Sequence, residues 1–167
     1  RKLNQPVSLI DINGKTVLQR QMEALAATGL KNIVVIRGFK ADDFKIENIR
    51  YYLNQNFANT HILASFFTVE SEMNGPFIYL NSDILFNSNI INFLISLGED
   101  SGSDIVLAVD NSYEYHKHNI DKMLDLVRTN KTMAEEPMRK VFDILDEEAT
   151  YIGKKIDKQL AQYEFIG

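Results

Sequence analysis

An acidic residue follows an apolar run in the sequence YLNSDILF, residues 79 to 86. The short apolar run at 76–80 predicts a strand that is buried on both faces and ends just before Asp83. A carboxylate at that point can hold Mg²⁺ while water and phosphate oxygens complete the octahedron, because Mg²⁺ prefers one or two carboxylates to a full protein cage. The alternative is a structural acid that caps a helix or closes a turn.

The elements that must position this residue alternate between helix and strand. After the turn signal Asn13-Gly14, apolar residues at helical spacing predict a helix that stops at Gly29. Strands are predicted at 32–36, 49–52 and 104–109 besides the one before Asp83, which covers 77–80, and further helices are predicted at 41–44, 61–72 and 89–97. This order predicts an open, mostly parallel α/β sheet. Ligands bind such sheets outside the carboxyl ends of the strands, where Gly38, Asp83 and Asp110 lie.

The last third of the chain has a different character. Residues 111–140 are polar and weakly periodic apart from 123–127, which predicts a loop or an insertion. The runs 141–145 and 150–156, separated by Asp146-Glu147-Glu148, predict a β-hairpin.

Composition limits the function classes. The chain has 167 residues with 18 Lys+Arg, 23 Asp+Glu and a net charge of -5, so neither nucleic acid nor an anionic membrane is expected as a partner. It has no cysteine and no apolar run long enough to span a bilayer, which favours a cytoplasmic protein. We expect a single domain over 1–167 that is incomplete at both ends, since the chain begins without methionine and stops in an apparent strand.

Four stretches of the chain keep a specific order and spacing: PVSLIDINGK, VLQRQMEALAATGLKNIVVIRGFKADDF, THILASF and FIYLNSDILF. Together they resemble the sugar-phosphate type nucleotidyltransferases. The resemblance covers residues 1–110 and resumes at YIGKKI and YEFIG. Within that family, the chain is similar to the cytidylyltransferases that activate phosphocholine or phosphonates, some of which are fused to phosphoenolpyruvate mutase-like domains.

The resemblance implies a Rossmann-like three-layer α/β/α fold of the GT-A-like nucleotidyltransferase type, with a mostly parallel sheet and a C-terminal β-hairpin region. It implies Mg²⁺-dependent transfer of a nucleotidyl group, with cytidylyl favoured, from a nucleoside triphosphate such as CTP to a phosphate or phosphonate acceptor. Pyrophosphate is released, and no covalent nucleophile is needed because alignment and charge neutralisation supply the catalysis. Oligomerisation is left open.

The resemblance also gives roles to individual residues. Arg1 and Lys2 are expected to face the triphosphate, and Lys154 is expected to meet the acceptor phosphate. Asp83 and Glu164 are expected to hold the metal. The expected nucleotide-binding residues lie near strand ends or at a helix start: Gly38, Thr60, His61, Ser65 and Asn81.

Structural alternatives remain for several of these residues. Thr60 is also a plausible helix N-cap, Ser65 a residue on a helix face, Lys154 a surface lysine and Glu164 an exposed strand acid. The chain also departs from the family pattern, since Val7 stands where relatives carry lysine after Pro6. Two other functions therefore compete with cytidylyl transfer: a sugar-1-phosphate nucleotidylyltransferase that uses another base, and a catalytically inactive nucleotide-binding regulatory domain.

Overall fold

The computed structural model describes residues 4–110, 126–129, 149–153 and 163–165. The chain forms two compact units, Arg1–Ile91 and Asn92–Gly167. The helices are α1 (Val17–Ala26), α2 (Ile62–Phe66) and α3 (Ser88–Asp100), and 3₁₀ turns span Val7–Leu9, Ala41–Asp43 and Phe67–Glu72. The strands are β1 (Asp11–Ile12), β2 (Lys15–Thr16), β3 (Val34–Arg37), β4 (Arg50–Leu53), β5 (Val109–Asp110), β6 (Leu126–Thr129), β7 (Ala149–Gly153) and β8 (Tyr163–Phe165).

A tight hairpin opens the first unit. Strands β1 and β2 pair antiparallel, and the two residues between them, Asn13 and Gly14, have φ values of 52° and 82°. Two consecutive left-handed residues define the turn that two-residue hairpins favour, and Asn-Gly is its most common sequence. The Gly14 N–H also donates to Asp11 Oδ1 at 2.9 Å. The predicted turn is confirmed.

Helix α1 follows directly, and its first turn is closed by a capping box. Thr16 Oγ1 accepts from the Gln19 N–H at 3.2 Å, and Gln19 Oε1 accepts from the Thr16 N–H at 2.8 Å. The buried residues of α1 recur at helical spacing: Val17, Leu18, Gln21 and Leu25. The chain leaves the helix after Ala26, and Gly29 has a φ of 84°, so the predicted stop is confirmed.

Strands β3 and β4 form a parallel pair, with Val34 opposite Arg50 and Arg37 opposite Leu53. Both strands lie where β-branched and aromatic residues predict them. The guanidinium of Arg37 stacks 4.4 Å from the centroid of the Tyr51 ring and donates to the Ala41 carbonyl at 2.9 Å. The parallel pairing of β3 with β4 agrees with the parallel sheet that was predicted for this part of the chain.

Two predicted strands are not formed as expected. Residues 77–80 are not part of a strand, and Phe77 is 56% exposed although burial on both faces was expected. The strand predicted at 104–109 is limited to Val109–Asp110, and Ile105 is 77% exposed. Apolar composition alone does not create a strand, because a strand also needs a hydrogen-bonding neighbour, and β3 pairs only with β4 in the described part of the chain.

The predicted helices after α1 differ from the structure in type or in length, and the segment predicted at 41–44 is the 3₁₀ turn Ala41–Asp43. The segment predicted as one helix at 61–72 is the short α2 followed by the 3₁₀ turn Phe67–Glu72, with non-helical backbone angles at the buried Val69. Helix α3 runs to Asp100, three residues beyond its predicted end. Glu72 ties this region to β4 through an ion pair with Arg50 at 2.7 Å.

The second unit contains a four-stranded sheet in the order β5-β8-β6-β7, with antiparallel pairing throughout. Strand β7 lies where the second arm of the hairpin was predicted, but its described partner is β6. Residues 141–145, the predicted first arm, lie outside the described residues. The segment predicted as a loop or insertion includes strand β6. In the described residues, no helix is long and apolar enough to cross a membrane.

Candidate functional site

Asp83 lies on an exposed turn that is fixed from the protein interior. Ser82 and Asp83 form the turn, and the residues on either side of them, Asn81 and Ile84, are partly buried. The side-chain amide of Gln21 on α1 donates to the Asn81 carbonyl and to the Ile84 carbonyl, each at 2.9 Å. We call residues 81–84 the Asp83 turn. Its backbone is therefore bound at both ends to one buried side chain, while the carboxylate remains outside.

Tyr79 supports the same turn from the preceding segment. Its hydroxyl donates to Asn81 Oδ1 at 3.0 Å, and its ring makes an edge-on contact with Phe66, with centroids 5.4 Å apart. Burial raises the pKa of the Tyr79 hydroxyl, and the negative charge of Asp83 raises this pKa further.

The Asp83 carboxylate suits a hard divalent cation. Asp83 is exposed, and within residues 4–110 its carboxylate accepts no hydrogen bond and forms no ion pair. No group of three or more His, Asp or Glu side chains among the described residues is arranged to hold a metal. Mg²⁺ does not need such a group, because it commonly binds through one or two carboxylates and fills its other positions with water and substrate phosphate.

A second ordered region follows β4 and contains two of the predicted nucleotide-binding residues. Asn54 is buried, and its side-chain amide donates to Thr60 Oγ1 and to Ser65 Oγ, both at 2.9 Å. Its Oδ1 accepts from the Asn56 N–H at 3.0 Å. Thr60 Oγ1 in turn donates to the Asn56 carbonyl at 3.0 Å. We call residues 54–61 the 54–61 loop; Asn54 holds it against the start of α2.

The N-cap of α2 is not Thr60, the residue that the sequence offered for that position. His61, rather than Thr60, occupies the N-cap position, and the His61 side chain makes no capping hydrogen bond. Thr60 uses its hydroxyl within the 54–61 loop instead, so the interpretation of Thr60 as an ordinary N-cap is wrong. The side chain of His61 is exposed.

Gly38 has a packing role in the same region. A Cβ atom added to Gly38 would lie 2.7 Å from Cβ and Cγ of Phe57, which belongs to the 54–61 loop. Real Cβ contacts are essentially never that short, so glycine lets the loop lie close to the end of β3. Gly38 therefore has a structural role, because it allows Phe57 to pack against the end of β3.

The remaining predicted residues are described only in part. Arg1, Lys2 and Lys154 lie outside the described residues. The backbone of Glu164 lies in β8, opposite Asp110 of β5 and Leu126 of β6. Asp83 belongs to the first unit and Glu164 to the second. The structure brings Asn81 together with Asp83, and Thr60 together with Ser65.

Three residues that organise these regions were not singled out from the sequence: Gln21, Asn54 and Tyr79. Gln21 carried a usable signal, because it is the polar member of the buried stripe that includes Leu18 and Leu25. A polar side chain on a buried helix face needs a hydrogen-bonding partner, which marks it for a specific role. Asn54 and Tyr79 carried no comparable signal, since polar residues after strands and tyrosines in strands are both common.

Residues 1–149 match the MobA-like NTP transferase domain family, and the chain belongs to that family. The chain is also similar to the choline-phosphate cytidylyltransferase of Streptococcus pneumoniae (strain ATCC BAA-255 / R6). The two sequences are 21% identical over 173 residues, which include 98% of this chain and 71% of the relative. The expected family is confirmed, and with it nucleotidyl transfer as the general activity.

Proposed function

We propose that this protein catalyses Mg²⁺-dependent transfer of a cytidylyl group from CTP to a phosphate or phosphonate acceptor, with release of pyrophosphate. The observation that carries the proposal is the Asp83 carboxylate, exposed on a turn whose backbone is fixed by Gln21. Membership of the NTP transferase family supports the reaction type, and the cytidylyltransferase relative supports the choice of base.

The reaction needs two anions to be aligned. An oxygen of the acceptor phosphate or phosphonate forms a bond to the α-phosphorus, while the bond from that phosphorus to the bridging oxygen of the leaving pyrophosphate breaks. The acceptor oxygen is already anionic at neutral pH, so its attack needs no general base. A divalent cation, when bound, offsets the negative charge that develops on the phosphate oxygens.

In this proposal, the charged residues act on the phosphates. Asp83 holds the cation through its carboxylate, and Glu164 is the acid that the resemblance places near a second metal or the substrate. Arg1 and Lys2 contact the triphosphate, and Lys154 orients the acceptor through its charge. These cationic side chains raise the rate by positioning the reactants and by stabilising charge in the transition state.

The 54–61 loop and the start of α2 are proposed to bind the nucleoside, together with Gly38 and Asn81. The network of Asn54 holds Thr60 and Ser65 in place before a ligand arrives, which reduces the entropic cost of binding. Within residues 4–110, the Ser65 hydroxyl accepts a hydrogen bond but donates none, so its hydrogen remains for an acceptor on the base. The exposed His61 ring offers a second contact.

We further propose that the two compact units belong to one domain over residues 1–167, with the three-layer arrangement and C-terminal hairpin of the Rossmann-like nucleotidyltransferase fold. The family match supports a single domain, since it covers the first unit and continues into the second as far as residue 149. A cytoplasmic location stays a prediction, which the absence of cysteine from the sequence favours.

Pyrophosphate release by the full-length protein tests the proposed activity. The assay supplies CTP, ATP, GTP or UTP with MgCl₂ and, in separate reactions, phosphocholine, a phosphonate or a sugar 1-phosphate as the acceptor. The proposal expects turnover with CTP and phosphocholine or a phosphonate. Turnover restricted to a sugar 1-phosphate with another base would replace the cytidylyl assignment.

One observation favours the alternative of a nucleotide-binding regulatory domain that has no catalytic activity. Val7 lies in the first 3₁₀ turn, partly exposed, where relatives of the resembled family carry a lysine. Nucleotide binding measured by calorimetry, without pyrophosphate release for any acceptor, would identify a nucleotide-binding regulatory domain.

A further inference from the structure

Gln21 is a buried polar residue with two long-range partners. It is 6% exposed, and its Nε2 donates to the carbonyls of Asn81 and Ile84, which are 60 and 63 residues away in the sequence. Both distances are 2.9 Å, which is typical of a well-formed N–H···O hydrogen bond. The two carbonyls flank Ser82 and Asp83, so one amide group binds both ends of the segment that carries the carboxylate.

The side-chain amide is well suited to this task among neutral side chains of this size. Its NH₂ group donates two hydrogens from one nitrogen, whereas a methionine of similar shape donates none and a glutamate presents negative oxygens. Replacing Gln21 with an apolar residue would therefore leave two backbone carbonyls of the Asp83 turn without their donor.

The support to which Gln21 attaches the turn is itself firmly held. Helix α1 begins with a reciprocal capping box between Thr16 and Gln19 and buries Val17, Leu18 and Leu25. Tyr79 fixes the same turn independently through the side chain of Asn81. The position of the Asp83 backbone is thus set by Gln21 on α1 and by Tyr79, although residues 77–80 do not form a strand.

We propose that Gln21 is a positioning residue for the cation-binding carboxylate of Asp83, an inference that rests on the function proposed above. A carboxylate on a fixed turn needs less reorganisation when it binds a cation, since the ordering of the turn is already present in the free protein. Loss of Gln21 should weaken Mg²⁺ binding strongly and CTP binding at saturating Mg²⁺ much less, since Asn81 is the one proposed nucleoside-binding residue in the Asp83 turn.

The test compares Gln21→Met with Gln19→Met in the full-length protein. Both variants replace a glutamine on α1 with methionine, but the described hydrogen bonds of the Gln19 side chain go to Thr16 in the capping box and not to the Asp83 turn. Calorimetry measures the Kd for Mg²⁺ in the presence of CTP, and kinetics measure the Mg²⁺ concentration that gives half the maximal rate. Gln21→Met should raise this Kd and this concentration about tenfold, which is the lower end of the usual effect of removing a residue that supports a metal ligand. The KM for CTP at saturating Mg²⁺ should stay within about twofold, as expected for an interaction that acts through the metal. Gln19→Met should lower the melting temperature and change neither Mg²⁺ value.

A lower melting temperature for Gln21→Met with Mg²⁺ values within twofold of wild type would show that Gln21 has only a structural role. An Asp83→Asn variant in the same series separates this failure from failure of the proposed function. If Asp83→Asn abolishes Mg²⁺ binding and Gln21→Met does not change it, the positioning role alone is wrong. If neither variant changes Mg²⁺ binding, the assignment of Asp83 as a ligand fails, and the role of Gln21 fails with it.

A measurement on the wild-type protein covers the case in which Gln21→Met does not fold. The side-chain amide of Gln21 is followed by ¹⁵N NMR during a titration with MgCl₂ and CTP. Its signals should shift with the same apparent affinity as the backbone amide of Asp83, whereas those of Gln19 should not move. A Gln21 signal that stays fixed while the Asp83 amide shifts would overturn the proposal.

Discussion

The Asp83 turn and the 54–61 loop are each organised by one buried side-chain amide, but the two amides act over different distances. Asn54 binds Asn56, Thr60 and Ser65, all within 11 residues of itself. Gln21 reaches residues 60 and 63 positions away. The order of the 54–61 loop is therefore encoded locally, whereas the order of the Asp83 turn depends on the packing of a distant helix. The 54–61 loop and the Asp83 turn should consequently respond to different mutations.

Replacing Asn54 should break the local network and have the largest effect on stability. Asn54→Leu removes two donated bonds and one accepted bond at a buried site, which we expect to destabilise the fold by about 2–4 kcal/mol. The KM for CTP should rise, and the Mg²⁺ concentration for half-maximal rate should change little. Urea unfolding and steady-state kinetics measure these effects.

Asn56→Ala provides the control for Asn54→Leu, since Asn56 is an exposed residue of the same loop. Its side chain accepts one bond from Asn59, and its loss should cost about 0.5 kcal/mol or less. Equal destabilisation by the two variants would contradict the central place of Asn54 in the loop.

Gly38→Ala should disturb the 54–61 loop from the β3 side. The added methyl group would lie 2.7 Å from two atoms of Phe57, so the loop must move, at a cost of about 1–3 kcal/mol. Thermal unfolding measures the cost, and Gly75→Ala is the matched control because a Cβ there meets no atom within 4 Å. If both variants melt at the same temperature, the close approach of Phe57 to Gly38 is wrong.

The smallest expected effect is a change in the pKa of Tyr79 when the charge of Asp83 is removed. Burial and, secondarily, the charge of Asp83 raise the pKa of Tyr79. Asp83→Asn removes the second cause, so the pKa of Tyr79 should fall but remain above its usual value of about 10. A difference titration by ultraviolet absorbance, with Tyr79→Phe as the reference, measures this pKa.

The raised pKa of Tyr79 also makes the stability of the fold depend on pH in the alkaline range. Because the pKa of Tyr79 is higher in the folded protein than in the unfolded chain, the folded state keeps its proton longer as the pH rises. Its contribution is fully present below a pH of about 10 and is lost as the pH rises through the folded-state pKa. An Asp83→Asn variant with an unchanged Tyr79 pKa would show that the carboxylate is not near the phenol.

The sequence predicted the features that depend on neighbouring residues. The Asn13-Gly14 turn, helix α1 with its stop near Gly29, and the β-branched strand β3 each follow from local spacing and backbone preference. The order of these elements predicted a mostly parallel sheet, and among the described strands β3 and β4 form a parallel pair. Resemblance to nucleotidyltransferases identified the family, which the match over residues 1–149 confirmed.

The features that were missed depend on distant partners. The apolar run at 77–80 does not form a strand, because strand formation requires a neighbouring backbone that composition cannot specify. The tether from Gln21 to the Asp83 turn joins residues 60 and 63 positions apart, and nothing in the local sequence of either partner identifies the other. Asp83 was predicted as a candidate ligand from its place after an apolar run, and the structure adds the support behind it.

The central claim is that Asp83 holds the divalent cation of a nucleotidyltransferase, and the stabilisation of Asp83→Asn by Mg²⁺ and CTP tests it most directly. Melting temperatures of wild type and variant are measured side by side, without ligand and with MgCl₂ and CTP together. Asparagine keeps the size of the side chain and can still support a turn, so the ligand-free melting temperatures should agree within about 2 °C, as for an exposed substitution. The ligand-induced increase should largely disappear in the variant, because it depends on affinity for the folded state. A lower ligand-free melting temperature with an unchanged ligand-induced increase would show that Asp83 is a structural turn residue.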